Sequence, residues 1–164
     1  MIKKAIRTEL QNDATLMDYV STVFTFFNTA NMRRVNNALS KGTFPMVTIN
    51  DLGKDLNTVH QTGTEHNFIS QIEIQLDTIV DPDACNEKQI EKLNDLLDLH
   101  ESAADRIFTI LHNFSGDLNG VPVGNLLFSE SQDSQLVYNL YNNDKDQVVY
   151  RKTLFFNVNY KQGV

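Results

Sequence analysis

One long stretch of this chain repeats its apolar residues with the period of an α-helix. Between residues 87 and 114 the apolar positions recur at steps of three and four, and acidic residues fill many of the positions between them. Asn86 precedes the stretch as an N-cap candidate, and Gly116 follows it as a stop signal. The pattern predicts one long amphipathic helix over residues 86–114. Its buried stripe consists of Ile90, Leu93, Leu97, Ala104, Ile107, Leu111 and Phe114.

Shorter stretches alternate apolar and polar residues, as β-strands with one buried face do. Residues 68–80 and 148–160 show this alternation most clearly, and residues 44–49 predict a further strand that opens at Pro45. At ~3.3 Å per residue the last strand would span about 43 Å. The helix has a similar length, so we expect the two to pack along their whole lengths. Residues 51–67 are polar and predict a long connecting arm between two strands.

The N-terminal part of the chain gives a weaker pattern. Apolar residues at helical spacing, beginning with Ile2, define one face of a first helix, and Asp13 is placed to cap a second. Residues 22–27 are rich in β-branched and aromatic residues, so helix and strand compete there. We expect helix, and we therefore predict a mostly helical region over residues 1–42.

These elements predict an α+β fold in which a small, mostly antiparallel sheet packs on one long amphipathic helix and on N-terminal helices. The length of 164 residues fits one domain. The predicted order along residues 1–164 is an N-terminal helical region (1–42), a strand–arm–strand unit (43–80), the central helix (86–114) and a C-terminal hairpin (121–160).

The composition excludes several classes of protein. Apolar and charged residues make up 41% and 21% of the chain, as in soluble globular proteins, and no apolar run approaches the ~18 residues of a membrane span. A single cysteine, Cys85, excludes an intrachain disulfide and a multi-cysteine zinc site. The net charge of −7 argues against a general nucleic-acid-binding protein, because such proteins gain affinity by neutralising phosphates with basic residues.

No motif in the sequence indicates catalysis or cofactor binding. His60 and His66 fall in the predicted arm with a spacing that fits no two-ligand zinc motif. Asp77, Asp81 and Asp83 sit where a chain turns from strand to helix, and no second acidic cluster is marked to converge with them. We therefore expect no catalytic residues, no cofactor and no metal.

The order of elements resembles that of the tail-terminator and tail-completion proteins of tailed bacteriophages. Three places carry the resemblance: a strand that opens at Phe44-Pro45 after the first helices, the strand 72–77 directly before the long helix, and a last strand that ends at Tyr160. The resemblance covers roughly residues 40–160.

The resemblance implies a structural virion protein that works by recognition rather than catalysis. Such proteins form a ring of six or twelve subunits at the head–tail junction, either ending tail polymerisation or connecting one ring of the neck to the next. The implied partners are other neck, portal-adaptor or tail proteins, and DNA passes through the ring without specific binding. The implied location is the virion, with assembly in the host cytoplasm and no membrane contact. An acidic subunit suits this role, because it does not hold DNA.

The resemblance also suggests which residues make contacts in the assembly. Val149 and Phe155 are apolar on the strand face that a single layer would leave exposed, so the N-terminal helices cover them, a second subunit covers them, or they are simply exposed. The candidate subunit interface consists of Phe155, Val149 and Tyr141. The candidate contact with a neighbouring ring lies in the arm and consists of Lys54, Asp55, His60 and Glu65.

The alternative is a soluble α+β small-ligand binder, adaptor or enzyme of cellular origin. A binder or an enzyme predicts a pocket with convergent polar groups in a monomer. An adaptor predicts a partner bound at the edge of the sheet.

Overall fold

The computed structural model describes residues 2–25, 45–62, 65–80, 87–138 and 147–163. The six strands of these regions form one sheet in the order β1-β2-β3-β6-β5-β4, and this sheet curls into a half-barrel. The elements along the described chain are α1 (Ile2–Asn12), α2 (Ala14–Tyr19), β1 (Thr22–Thr25), β2 (Met46–Thr62), β3 (Glu65–Val80), α3 (Glu87–Leu111), β4 (Phe114–Leu118), β5 (Val121–Tyr138) and β6 (Gln147–Gly163).

The protein is mostly β, and the predicted α+β class with a small sheet is wrong. Four strands, β2, β3, β5 and β6, are 16 to 18 residues long. The arm predicted over residues 51–67 consists largely of strand, because β2 and β3 pair from Met46 and Asp77 out to Thr62 and Glu65. A polar stretch shows no apolar alternation, so its sequence looks like a loop although its backbone continues the ladder.

The helix α3 forms where the sequence predicts it, but it does not pack along its whole length. Its described buried residues begin at His100 and continue to Leu111, whereas Asp95 and Leu99 nearer its start are exposed. The predicted packing of this helix along the whole of the last strand is therefore wrong. The helix also ends before Gly116, because Asn113 adopts the left-handed conformation (φ 64°) that turns the chain into β4.

The N-terminal helices form as predicted over Ile2–Asn12 and Ala14–Tyr19. The chain then enters β1, which pairs in parallel with β2 and places Val23 beside Val47. The expectation of helix at the start of residues 22–27 is wrong, because this β-branched segment has an open sheet edge beside it. Residues 26–44, which complete the predicted helical region, lie outside the described residues.

The hydrophobic core lies between one face of the sheet and the three helices. Its centre is formed by Ile72 and Ile74 of β3 and Phe156 of β6, all fully buried. Tyr160 is buried beside them, and its hydroxyl lies 3.4 Å from that of Ser70. Burial raises the pKa of Tyr160, so the phenol stays neutral in the core.

A tight turn between β4 and β5 fastens the sheet to α1. Asn119 and Gly120 both have positive φ (49° and 87°), as in the two-residue turns that suit the twist of a hairpin. Asp117 accepts a hydrogen bond from the Gly120 N–H at 2.8 Å. The Asn119 side chain donates to the carbonyl of Ala5 at 3.1 Å and to the carboxylate of Glu9 at 2.9 Å. The turn thereby fixes α1 against the end of the sheet.

Candidate assembly surface

The sheet face turned away from the helices is polar over much of its area. Its side chains alternate along the strands with those of the core, and most are amides rather than charged groups. We call it the polar face. Its polar residues include Gln71, Glu73 and Gln75 of β3, Asn157 and Asn159 of β6, and Asn125, Glu130 and Gln132 of β5. The exposed apolar side chains of Ile69 and Leu127 lie on the same face, opposite Asn159 and Asn157.

Phe155 lies on the polar face in β6, where the sequence placed it. Its side chain is half-buried, and its cross-strand neighbours are Glu73 of β3 and Glu130 of β5. Glu73 is held in place by a hydrogen bond from Gln75 and another from Asn50 at 3.4 Å. Phe155 is thus an apolar side chain between two acidic residues. It lies in β6, the strand next to β5.

At the other end of this face the side chains are buried. Val149 is only 3% exposed, and Thr48 of β2 is 1% exposed. Asp77 accepts two hydrogen bonds from Arg151, from Nε at 2.7 Å and from Nη2 at 3.0 Å, which ties β3 to β6. Val149 is therefore almost fully buried within the single chain, and its contact with a neighbouring subunit stays a prediction. Tyr141 lies outside the described residues.

The predicted contact residues of the arm all lie on the β2–β3 hairpin. Lys54 and Asp55 pair with Ser70 and Ile69 of β3, His60 belongs to β2, and Glu65 begins β3. None of the four is in a connecting loop. Their contact with a neighbouring ring stays a prediction.

A groove of about 390 Å³ separates α3 from the adjoining ends of β5 and β6. His100 forms part of its floor, and Nδ1 of this residue lies 2.9 Å from the hydroxyl of the fully buried Thr78. Burial lowers the pKa of His100, although the nearby carboxylate of Glu101 acts in the opposite direction. The groove is lined by Leu97, His100, Glu101, Asp133, Gln135 and Tyr150, among others.

Lys152 connects the helix and the sheet at this groove. Its Nζ lies 2.9 Å from Oδ1 of Asp133 in β5 and 3.4 Å from Oε1 of Glu101 in α3. Burial alone would lower the pKa of Lys152, but the hydrogen bonds and negative charges of its two partners outweigh burial and hold that pKa above its usual value. Sequence reasoning missed this cluster. Its one signal was a lysine at a core-facing position of the last strand, between Tyr150 and Leu154.

The charged groups of the groove are thus paired with one another. Lys152 pairs with two carboxylates, and the Nδ1 atom of His100 lies within hydrogen-bond distance of the Thr78 hydroxyl. Within the described ranges, no group of three or more His, Cys, Asp or Glu side chains is placed to hold a metal ion. Among the described helices, none is both long and apolar enough to cross a membrane. The groups of the groove are arranged to hold α3 on the sheet.

Each edge of the sheet is only partly covered by its outermost strand. On one side β4 pairs with β5 between Val121 and Leu126, and no described strand lies beside the rest of β5. On the other side β1 pairs with β2 between Met46 and Ile49, and no described strand lies beside the rest of β2. All seven side chains of β5 from residue 129 to residue 135 are exposed.

No known protein family matches this sequence, and no curated protein matches it. A solved structure does. The chain is similar to one in the structure "Virion of native gene transfer agent (GTA) particle", with a TM-score of 0.56. The alignment covers 98% of this chain and 95% of the other at 14% sequence identity. At that identity, the similarity shows that the two chains share a fold.

Proposed function

We propose that this protein is a structural component of a phage virion and forms a ring at the head–tail junction, as a tail terminator or a neck connector. The observation that carries the proposal is the fold shared with a virion chain over nearly the full length of both. The order of elements that resembles the tail-terminator proteins supports the finer assignment. The partners would be other neck, portal-adaptor or tail proteins, and the protein would assemble in the host cytoplasm.

The polar face suits the wall of a DNA channel. Proteins that hold DNA neutralise its phosphates with lysine and arginine side chains. On this face the described basic residues are Arg151, which is paired with Asp77, and Lys161 at the far end of β6. The remainder consists mostly of amides, the carboxylates of Glu73 and Glu130 and the exposed apolar side chains of Ile69 and Leu127, none of which is positively charged, so DNA would pass without being held.

We propose further that the protein is not an enzyme. The groove between α3 and the sheet is the site that an enzyme or a ligand binder would use. Its charged groups already pair with each other, which leaves none of them as an obvious base or nucleophile. Turnover of a substrate by the monomer, abolished by a change at His100, would contradict this part of the proposal.

Deletion of the gene in a particle-producing strain tests the proposed role. A tail terminator predicts filled heads and separate tails of abnormal length. A neck connector predicts tails of normal length that fail to join heads. Gold-labelled antibody against the protein should mark the head–tail junction of wild-type particles. Complete particles with normal tails in the deletion strain, together with no label on wild-type particles, would contradict both roles.

A further inference from the structure

The uncovered edge of β5 presents backbone groups that have no partner strand in the described part of the chain. Phe128 directs its N–H away from β6, because that group donates to Nδ1 of His112 at 3.1 Å. In an antiparallel ladder, pairs bonded to each other alternate with pairs whose backbone groups point outward. Phe128 pairs with Phe156, and every second residue of β6 counted back from Phe156 pairs with Ser131, Asp133 and then Gln135. The backbone N–H groups of these three residues of β5 therefore also point away from β6.

This edge lacks most of the devices that prevent strands from pairing with other chains. Its one irregularity is the register shift at Ser129, and the pairing with β6 is regular from Glu130 to Tyr138. It contains no proline and no lysine, which are common protective residues on exposed edges. Its two acidic residues are Glu130 and Asp133, of which Asp133 is already paired with Lys152.

The two edges of the sheet have complementary outlines. Traced across the ladder, β1 is level with residues 131–134 of β5, where the opposite edge is uncovered. In the same way β4 is level with residues 54–56 of β2, beside which no described strand lies. Each edge therefore carries an additional short strand, β1 or β4, at the level where the opposite edge has none among the described strands.

Strand direction is also compatible with a continuous sheet. β1 runs parallel to β2, whereas β5 runs opposite to both, because three antiparallel pairings separate it from β2. Rotation of copies about an axis along the strands preserves these directions. The uncovered part of β5 would then lie antiparallel to β1 of the next copy, as β5 does to β6 within one copy.

We infer that the two stepped edges join successive copies of this chain head to tail, with residues 131–135 of β5 pairing with residues 21–25 of the next copy, which include β1, and with β4 lying beside residues 54–56 of its β2. The inference rests on the proposed ring and names its interface. The two edges differ, so the contact is heterologous, and such contacts close into rings when the rotation allows.

The groove between α3 and the sheet lies directly beside this edge. Asp133 and Gln135 belong to both the edge and the groove lining. The core-side residues of β1, Val23 and Thr25, are only 4% and 8% exposed in their own subunit, so the pairing with β5 would be made by backbone groups beside the groove and not by side chains inserted into it.

A proline at an outward position tests the edge directly. Gln135→Pro removes an N–H that points away from β6, so the monomer should keep its circular-dichroism spectrum while pairing with a second copy is blocked. We expect the concentration needed for assembly to rise at least about tenfold, because backbone hydrogen bonds are lost. Gln135→Ala is the matched control and should assemble like the wild type. If Gln135→Pro does not fold, Ser131→Lys places a protective lysine on the same edge without changing the backbone.

Disulfide cross-linking identifies the partner edge. In a Cys85→Ser background, Ser134→Cys and Thr22→Cys lie at the same level on the polar face, one on each edge. The double variant should give a ladder of covalent oligomers on oxidation, and neither single variant should. Covalent dimers from Ser134→Cys alone would show two-fold pairing of β5 with itself and overturn the inference.

These experiments distinguish a failure of the edge pairing from a failure of the proposed ring. Rings that persist in Gln135→Pro and Ser131→Lys, without cross-links in the double variant, would overturn the edge pairing and leave the ring proposal standing. A wild-type protein that forms no ring would overturn both.

Discussion

Arg106 of α3 holds Asp13 with two hydrogen bonds, from Nε to Oδ1 at 3.0 Å and from Nη2 to Oδ2 at 2.6 Å. The same carboxylate caps α2, because Oδ1 accepts the N–H of Leu16 at 2.7 Å. One side chain thus fixes the start of α2 and ties it to the buried half of α3. These two helices lie over the sheet face opposite the polar face.

Removal of this carboxylate should destabilise the fold. Asp13→Ala loses the N-cap as well as the contact with Arg106, and the cap alone is worth about 1 kcal/mol. Asp13→Asn keeps a capping oxygen but loses the charge and the hydrogen bond that Oδ2 accepts from Arg106, so it should cost less than the alanine, which also loses the cap. Urea denaturation of the two variants measures the difference, and equal losses would show that the cap contributes nothing.

The Asp13 pair also gives the stability a pH dependence. The hydrogen bonds from Arg106 lower the pKa of Asp13 below its usual 3.8, so the folded chain releases this proton more readily than the unfolded chain. The stabilisation is therefore complete above the unfolded pKa and is lost as the pH falls through the folded one. The difference in unfolding free energy between wild type and Asp13→Asn should shrink on acidification. A difference that stays constant to low pH would contradict this assignment.

His100 should produce a second, separate pH dependence at higher pH. Burial lowers its pKa below 6.5, while Glu101 acts in the opposite direction and Lys152 adds to the lowering. The carboxylates of Asp133 and Asp77 are the other charged groups that face it, and both favour the protonated form. The unfolded chain takes up the proton first, so stability is lost as the pH falls from about 6.5 through the folded value.

His100→Gln should flatten this part of the stability profile. Thr78→Val is the control, because it removes the hydrogen bond to Nδ1 while leaving a titratable imidazole in place. Denaturation midpoints measured at several pH values around and below 6.5 give the slopes. A slope unchanged in His100→Gln would assign the dependence to another group.

Lys152→Met tests how strongly the charged cluster holds α3 on the sheet. The methionine keeps much of the buried stem, so the loss should be about 1 kcal/mol, in the range of ion pairs with solvent-exposed partners. Double-mutant cycles with Asp133→Asn and Glu101→Gln should give the larger coupling for Asp133, whose distance to Nζ is shorter. The reverse order would show that the helix contact dominates.

Phe155→Arg distinguishes two possible interfaces. The sequence resemblance suggests Phe155 as an interface residue, whereas edge pairing leaves it on the polar face, in β6 and not in the edge strand β5. We expect the variant to keep its oligomeric mass, since Glu73 and Glu130 beside it can accommodate the new charge. Leu99→Arg on the exposed side of α3 is the control. Dissociation of Phe155→Arg with a native circular-dichroism spectrum would place Phe155 in the interface.

The sequence predicted the elements that have one buried and one polar face. The alternation around Ile72 and Ile74 fixed β3, and the stripe ending at Leu111 located α3, because burial on one face leaves a period in the sequence. The hairpin beyond Asp51 left no such period, since its residues are polar whether the backbone is paired or not. The predicted sheet was therefore too small, and the predicted fold class was α+β although the protein is mostly β.

The candidate surface was harder to predict than the elements. Phe155 was placed on the correct face, because its position follows from strand alternation alone. The burial of Val149 depends on what lies over that end of the face, which no local pattern encodes. The uncovered edge of β5 follows from strand order, and strand order depends on long-range pairing between residues such as Phe128 and Phe156.

The mass of the purified protein, measured by light scattering across concentration and combined with negative-stain microscopy, tests the central proposal most directly. We expect closed rings whose mass is six or twelve times the 18.7 kDa of one chain. A monomer, or a dimer with two-fold symmetry, at every concentration would contradict it.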